Sequence, residues 1–234
     1  MYLKSAMALA LVSSLSSVQA AEKTNGMEIS ANVSMASDYV WRGFSQTYKK
    51  PAIQGGLDLV HDSGLYVGTW ASNVRFVPDG AVSDGAQVEW DTYLGYSTEF
   101  KNGMGLDMGY NHYFYPGANS ERNYDFGEFY VKGSYSFLTL SYNYSPEFFG
   151  NSGKAHYVGL GAEYGLPYDI TLSGAVGRQN LKGDGDYTDW SIGLGKSFFG
   201  LDFSLAYVDT NIKDADDADD LAAARAVFSV GKTF

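Results

Sequence analysis

Apolar and polar residues alternate with a period of two along most of this chain. At the carboxyl end, Ala224, Ala226, Phe228, Val230 and Phe234 fall on one face, and Arg225, Val227, Ser229, Gly231 and Thr233 on the other. That period is the mark of a strand with two unlike faces. Lys232 interrupts the apolar face near its end, where a lysine at a membrane boundary can snorkel. The same split recurs where Leu138, Leu140, Tyr142 and Tyr144 oppose Thr139, Ser141, Asn143 and Ser145. Twelve such segments are predicted, at 28–40, 52–61, 65–74, 87–100, 104–115, 125–135, 138–148, 155–164, 169–180, 187–198, 201–211 and 222–234. Each is close to the ~9–11 residues that a tilted strand needs to cross a bilayer.

The connections sharpen this. Short ones at 62–64, 101–103, 136–137, 165–168 and 199–200 alternate with longer ones at 41–51, 75–86, 116–124, 149–154, 181–186 and 212–221. Short periplasmic turns and longer outer loops, in strict alternation, are how an outer-membrane barrel is strung. The expected fold is therefore all-β, an antiparallel transmembrane β-barrel of twelve strands. Backbone groups cannot stay unpaired in lipid, so the first and last segments must pair with each other.

Parity alone does not say which face is inside. A soluble barrel or sandwich shares the strand spacing and would turn the apolar face inward; a membrane barrel turns it out. Small polar residues on one face suit a narrow wet interior, and the aromatics gather at segment ends. Tyr39, Trp41, Phe44, Tyr113, Phe114, Tyr115, Phe148 and Phe149 would form one belt, and Phe100, Phe137, Phe198, Phe199 and Phe234 the other. Segment 65–74 is ambiguous, because Tyr66 and Trp70 share a face opposite Leu65, Val67 and Ala71.

The first residues bear on the compartment. Lys4 precedes an apolar run from Ala6 to Val12, and Val18-Gln19-Ala20 ends in small residues before Ala21. This reads as a secretory signal peptide at 1–20, leaving one barrel domain at 21–234. No later stretch approaches the ~18 apolar residues of a membrane helix. There is no Cys, so neither a lipoprotein anchor nor a disulfide framework is open to it. Without Lys4 the chain carries 15 basic against 27 acidic residues, a net charge of −12. That argues against nucleic acid as a partner and against a polybasic membrane patch. The 28 Gly, 19 Tyr and 14 Phe are unusual for a soluble domain, which would bury so many rings in a second apolar layer that the pattern lacks.

The run Ser37-Asp38-Tyr39-Val40-Trp41-Arg42-Gly43-Phe44-Ser45-Gln46-Thr47 is followed by Pro51-Ala52-Ile53-Gln54-Gly55-Gly56-Leu57-Asp58, then by Gly64-Leu65-Tyr66-Val67-Gly68-Thr69-Trp70-Ala71-Ser72-Asn73 and by Glu89-Trp90-Asp91, Tyr93, Gly95 and Tyr96. With these motifs the chain resembles the proteobacterial TorF-type porin-like family of exported proteins, most densely from Ser37 to Tyr96. The resemblance implies an outer-membrane barrel with a pore role. It brings no established substrate and no catalytic residues.

Polar-face acids would line the lumen: Asp38, Asp58, Glu89, Asp91, Asp107, Glu128, Glu163, Asp189 and Asp202, with Lys132 and Arg225 the chief bases. Carboxylates offset ion desolvation and bias a pore toward cations. Some would instead pair with Lys132 or Arg225 as bridges across a slim lumen. Glu89, Asp91 and Asp107, on adjacent strands, are the expected constriction. Passive diffusion of small hydrophilic solutes, cations favoured, is the expected function. A plugged structural barrel and a soluble periplasmic ligand-binding barrel are the alternatives.

Asp184, Asp186, Asp214, Asp216, Asp217, Asp219 and Asp220 could hold Ca²⁺ or Mg²⁺. The stretch lacks the terminal glutamate of an EF-hand, and a solvated acidic loop accounts for it. No other cofactor is implied. His61 lies at a short turn, and His112 and His156 point toward lipid near the outer strand ends. No G-x-S-x-G nucleophile stands beside them, so an outer-membrane lipid hydrolase is not expected. The expected partners are outer-membrane lipid, lipopolysaccharide and small hydrophilic solutes. The assembly machinery is another, and Phe234 would be its signal, by adding its strand to an exposed sheet edge.

Overall fold

Long antiparallel strands, each hydrogen-bonded to the next and the last to the first, close into a barrel in the computed structural model. It describes residues 22–24, 26–119, 123–183, 185–213, 217 and 219–234. The segment 1–20, read from the sequence as a signal peptide, lies outside them, as do Asp184, Asp214 and Asp216. Twelve strands form the wall: β1 (Met27–Ala36), β2 (Ala52–His61), β3 (Leu65–Asn73), β4 (Val88–Glu99), β5 (Met104–Phe114), β6 (Phe126–Tyr135), β7 (Leu138–Phe148), β8 (Gly153–Leu166), β9 (Ile170–Leu181), β10 (Tyr187–Phe198), β11 (Leu201–Thr210) and β12 (Arg225–Thr233). Strand number and alternating loop lengths agree with the sequence pattern. The first strand differs: it stops at Ala36 rather than Val40, because the residues after it leave the wall.

The seam has two parts. β12 pairs with β1 from Asn32 to Ala36, and Phe234 and Ala31 exchange both backbone bonds, at 3.2 and 2.8 Å. Beyond that point Glu22–Thr24 turns back at Gly26 and pairs with residues 27–29, covering the edge of β1 that β12 does not reach. At the short-turn end, Phe199 and Gly200 join β10 to β11 with φ of +52° and +74°. Two positive φ values are the type I′ hairpin, whose twist matches the flanking strands.

The faces are inverted relative to a soluble barrel. Leu57, Leu94, Leu140, Leu160, Ile192 and Leu205 point outward and are about half exposed. On the other face Asp58, Glu89, Glu128, Gln179 and Asp189 are at most 7 % exposed. An apolar belt around the whole girth is far larger than the patches soluble monomers leave in water. It matches the outward band of a membrane barrel. Arginine at Leu160 is expected to lower stability by about 2–4 kcal/mol, as measured for a charge at the lipid midplane. Urea unfolding from lipid vesicles would check it, and a smaller cost than for arginine at lumen-facing Ser173 would contradict the sidedness.

Phe100, Phe137, Phe198, Phe199 and Phe234 are exposed around the short-turn end, as expected. The opposite belt is corrected. Tyr39, Tyr113 and Tyr115 are buried inside the barrel, with Trp41, Phe148 and Phe149 packed on them. The cause is parity: Tyr113 and Tyr115 continue the inward row of Asp107, Gly109 and Asn111. Trp90 and Phe114 remain outside, with ring centroids 5.8 Å apart. Tyr66 and Trp70, left ambiguous by the sequence, face inward, and Trp70 meets Tyr39 edge-on at 5.4 Å.

Candidate functional site

Past Ala36 the chain turns into the lumen. Val40 pairs with Ser45 and Trp41 with Phe44 in a two-residue hairpin, whose tip residues Arg42 and Gly43 have φ of +47° and +83°. This is again a type I′ turn. Gly43 is required twice there, since a Cβ would also come within 2.3 Å of the Thr210 side chain. Asp38 fastens the base. Its Oδ1 accepts from Ser45 Oγ at 2.6 Å and Thr47 Oγ1 at 2.9 Å, and its Oδ2 pairs with Arg225 of β12 at 3.0 Å.

Arg42 reaches across the barrel from the tip. Its Nη1 and Nη2 donate to Glu128 Oε1 and Oε2 of β6 at 2.9 and 2.8 Å, and Nη1 also donates to Gln179 Oε1 of β9 at 3.0 Å. The rings of Trp41 and Tyr157 lie 4.2 and 4.1 Å from its Cζ. A guanidinium taken out of water is stable only where its charge is matched and its donors are used, and this setting does both. The sequence reading leaves Arg42 in an outer loop. One signal could have found it: an Arg-Gly turn between Val40-Trp41 and Phe44-Ser45, a stretch too apolar for a solvated loop.

Around the hairpin stands a layer of carboxylates. Glu89 accepts from the hydroxyls of Tyr39 and Tyr115, both at 2.8 Å. Asp91 Oδ2 accepts from Asn111 Nδ2 at 3.2 Å, and Asp189 Oδ1 from the Tyr157 hydroxyl at 3.1 Å. Asp107 is not part of this layer. In the β4–β5 register Asp91 faces Tyr113, whereas Asp107 faces Ser97. Six residues of strand separate the two levels, about 20 Å at the rise of a β-strand. The expected three-acid constriction is thus corrected to two layers.

In the second layer the Tyr66 hydroxyl donates to Asp107 at 2.5 Å, and Lys132 Nζ lies 3.6 Å from the same carboxylate. Tyr66 also bonds Tyr130, and Tyr93 bonds Asp58. Glu163 lies exposed toward the short-turn rim, and Asp202 bonds Ser197. Arg225 and Lys132 are therefore bridged, to Asp38 and Asp107. Among the described residues, Asp58, Glu89, Asp91, Glu163 and Asp189 form no ion pair. Buried Asp91 Oδ1, Asn111 Oδ1, Asp189 Oδ2 and Gln179 Nε2 have no protein partner, which suits a surface turned to water.

The lumen is lopsided. Large tyrosines and acids crowd the wall of β2 to β6. The inward positions of β7 to β12 are mostly small, among them Ser141, Gly161, Ser173, Ser191, Gly193, Ser204 and Ser229. At the long-loop mouth Phe76, Tyr115, Tyr124 and Phe149 stack together, with Tyr124 and Phe149 4.4 Å apart, and the Tyr124 hydroxyl donates to Asp84 at 3.1 Å. Beside this cluster a cleft of about 400 Å³ is lined by Lys50, Arg75, Asp84 and Gln87.

The described acidic loop residues do not gather. The Asp186 carboxylate accepts the Leu181 N–H and the Asn180 amide, each at 2.8 Å, and these bonds hold it below the usual carboxylate range. Asp217 accepts the N–H groups of Leu221 and Ala222. The Asp219 carbonyl accepts from Lys49 Nζ, and the Asp220 carbonyl from Arg225. No group of three metal-ligating side chains forms among the described residues, so Asp186, Asp217, Asp219 and Asp220 stand as loop-shaping groups, while Asp184, Asp214 and Asp216 lie outside the described residues. His112 and His156 face outward and bond Tyr110 and Tyr142, at 2.9 and 2.7 Å, rather than a serine. His61 does meet Ser63 Oγ at 2.8 Å, but it also accepts the Ser63 N–H at 3.1 Å, which is turn chemistry.

A family model described as "Bacterial protein of unknown function (Gcw_chp)" matches residues 20–234. The chain belongs to this family. No curated protein matches its sequence. Among solved structures the KdgM porin is similar, with a TM-score of 0.52 at 10 % identity over 88 % of this chain and 97 % of that one. KdgM in complex with disordered oligogalacturonate gives 0.52 at 11 %, over the same shares. The NanC porin gives 0.50 at 10 %, over 88 % and 98 %. At such identities the likeness is one of fold. The Gcw_chp chain has the closed antiparallel barrel of these porins, with its own charges inside.

Proposed function

We propose that this chain is an outer-membrane porin of the TorF type, passing small hydrophilic solutes by diffusion and favouring cations. Signal peptide 1–20 would direct its export, and the closing strand with Phe234 would be handed to the assembly machinery. The observation that carries the reading is a polar lumen, rich in unpaired carboxylates, inside a belt that hydrocarbon fits. Among the described residues, three bases reach the lumen and each faces a carboxylate, Arg42 with Glu128, Lys132 with Asp107 and Arg225 with Asp38. The acids left over give the lumen a negative potential, which concentrates cations. Oligogalacturonate, found with KdgM, is a polyanion that such a lumen would repel. Neutral and cationic solutes suit it better.

One observation favours a second reading, a plugged barrel: Arg42 ties β6 to β9 across the lumen. Refolded protein in a planar bilayer under a salt gradient separates the two. Stepwise conductance with a cation-selective reversal potential is the expected result. Inserted, folded protein without steps would establish the plug, and anion selectivity would refute the argument from the acids. Recovery in the soluble fraction without detergent would sink both.

A further inference from the structure

We propose that the outward ends of β8 and β9 bind the phosphates of a glycolipid, the lipopolysaccharide of the outer leaflet. This rests on the outer-membrane reading above. The chain is acidic overall, at −11, and its composition argues against any basic patch. The register nevertheless builds one. On the outward face of β9, Ile170, Leu172 and Val176 give way to Arg178, and Lys182 follows at the rim. On β8, Leu160 and Val158 give way to His156 and Lys154. Arg178 pairs in register with Val158 and Asn180 with His156, and the Lys182 N–H donates to the Lys154 carbonyl at 2.9 Å. Three cationic side chains therefore share one small area on neighbouring strands. Among the described residues, no other strand carries a lysine or arginine on its outward face at this end.

Depth points to the ligand. Arg178 lies eight residues above Ile170, about 26 Å along a strand. At a tilt of roughly 40° that is a height of about 20 Å, close to the ~25 Å apolar band of such barrels. The patch thus stands where acyl chains end and head groups begin, a level at which the available anion is a lipid phosphate. Arginine meets phosphate as a two-pronged fork and lysine as a point charge. Arg178 is 45 % exposed at its side chain and is only loosely held, with Thr188 Oγ1 at 3.3 Å and Asp186 at 3.5 Å. Asp186 divides its charge between Arg178 and the Leu181 N–H and Asn180 amide, and Glu147 is turned to the Gly153 N–H at 2.7 Å. Tyr144 lies beside His156 with ring centroids 5.1 Å apart, and adds an amphipathic surface of the kind that sits at the bilayer interface.

The test uses the full mature chain, refolded in detergent and titrated with bisphosphorylated lipid A, with bound lipid read by native mass spectrometry. Wild type should retain lipid A, and K154Q/R178Q/K182Q should bind it more weakly by roughly fivefold per charge removed. Lipid A stripped of its phosphates should bind wild type as poorly as lipid A binds the variant. K196Q/K232Q, at the short-turn rim, should bind normally. Equal retention by wild type and the triple variant, or an equal loss in K196Q/K232Q, overturns the patch. So does phosphate-independent binding. Heat-dependent gel mobility shows that each variant is folded. Fractionation separates the two levels of the argument. A wild-type chain outside the outer membrane refutes the underlying reading, whereas one inside it that ignores lipid A refutes only the patch.

Discussion

Replacing Arg42 with alanine should raise the single-channel conductance several-fold. The guanidinium is the only side chain of the inner hairpin that grips β6 and β9 together. Without it Glu128, 1 % exposed, keeps only the Tyr113 hydroxyl at 3.3 Å and the Asn143 amide at 3.5 Å. Removing one partner of a buried ion pair costs about 3–5 kcal/mol, because the other charge stays behind unpaired. The stacking of Trp41 and Tyr157 on the cation disappears as well, a contribution of about 2 kcal/mol where the site is desolvated. The hairpin remains tied at its base by Asp38 and along its arms by Trp41 on Phe148 and Phe44 on Tyr187, so the Arg42–Gly43 tip is freed rather than the whole segment unfolding. Arg42→Lys should fall between the two, since a lysine keeps the charge but cannot fork to Glu128 while reaching Gln179. Bilayer recordings on both variants check this. Folded Arg42→Ala barrels with wild-type conductance would show that solute flow does not pass the hairpin.

Deleting Phe234 should reduce the yield of folded barrel about tenfold or more, while whatever inserts conducts normally. The deletion removes both backbone bonds to Ala31. At about 1 kcal/mol net for each such bond, the loss exceeds the 1.4 kcal/mol that a tenfold shift represents. It also takes away a rim aromatic, over whose ring Lys232 Nζ sits at 4.8 Å. The lumen lies on the other face and is untouched. The fraction of heat-modifiable protein recovered from membranes measures the effect, and recordings from that fraction measure the rest. Normal yield would remove Phe234 from any role in assembly.

The wall of this barrel was legible because its strands obey one rule. Leu138–Phe148, Tyr187–Phe198 and Ala52–His61 have the bounds that the alternation predicts. The inward acids were legible for the same reason, since parity assigns Asp58, Glu89, Glu128 and Asp189 without knowledge of the partner strands. Two things were hidden. The Arg42 hairpin obeys the same period of two as the strand before it, so nothing in the alternation marks where Ala36 ends the wall and Asp38 enters the lumen. The height of each residue was the other. Asp91 and Asp107 share a face of adjacent strands, but only the register shows that one belongs to the hairpin layer and the other to the Tyr66 layer. Periodicity reports direction, and level along the axis depends on pairing.

The two-part seam has a consequence for how the cylinder is made and unmade. β1 meets β2 along its full length, from Met27 to Ala36, but meets β12 only from Asn32 upward, with Phe234 and the short Glu22–Thr24 piece completing the row. Every other junction is a hairpin whose partners are tethered neighbours in the chain. This one joins the two most distant strands and has no connecting turn to hold it. Loop-closure entropy therefore makes it the last to zip, and local opening should begin there because it has the least pairing. A shared edge filled from both ends also behaves like a latch with two tongues. Either end segment released alone leaves the other in place, so the ring can breathe at one rim without parting along its whole height.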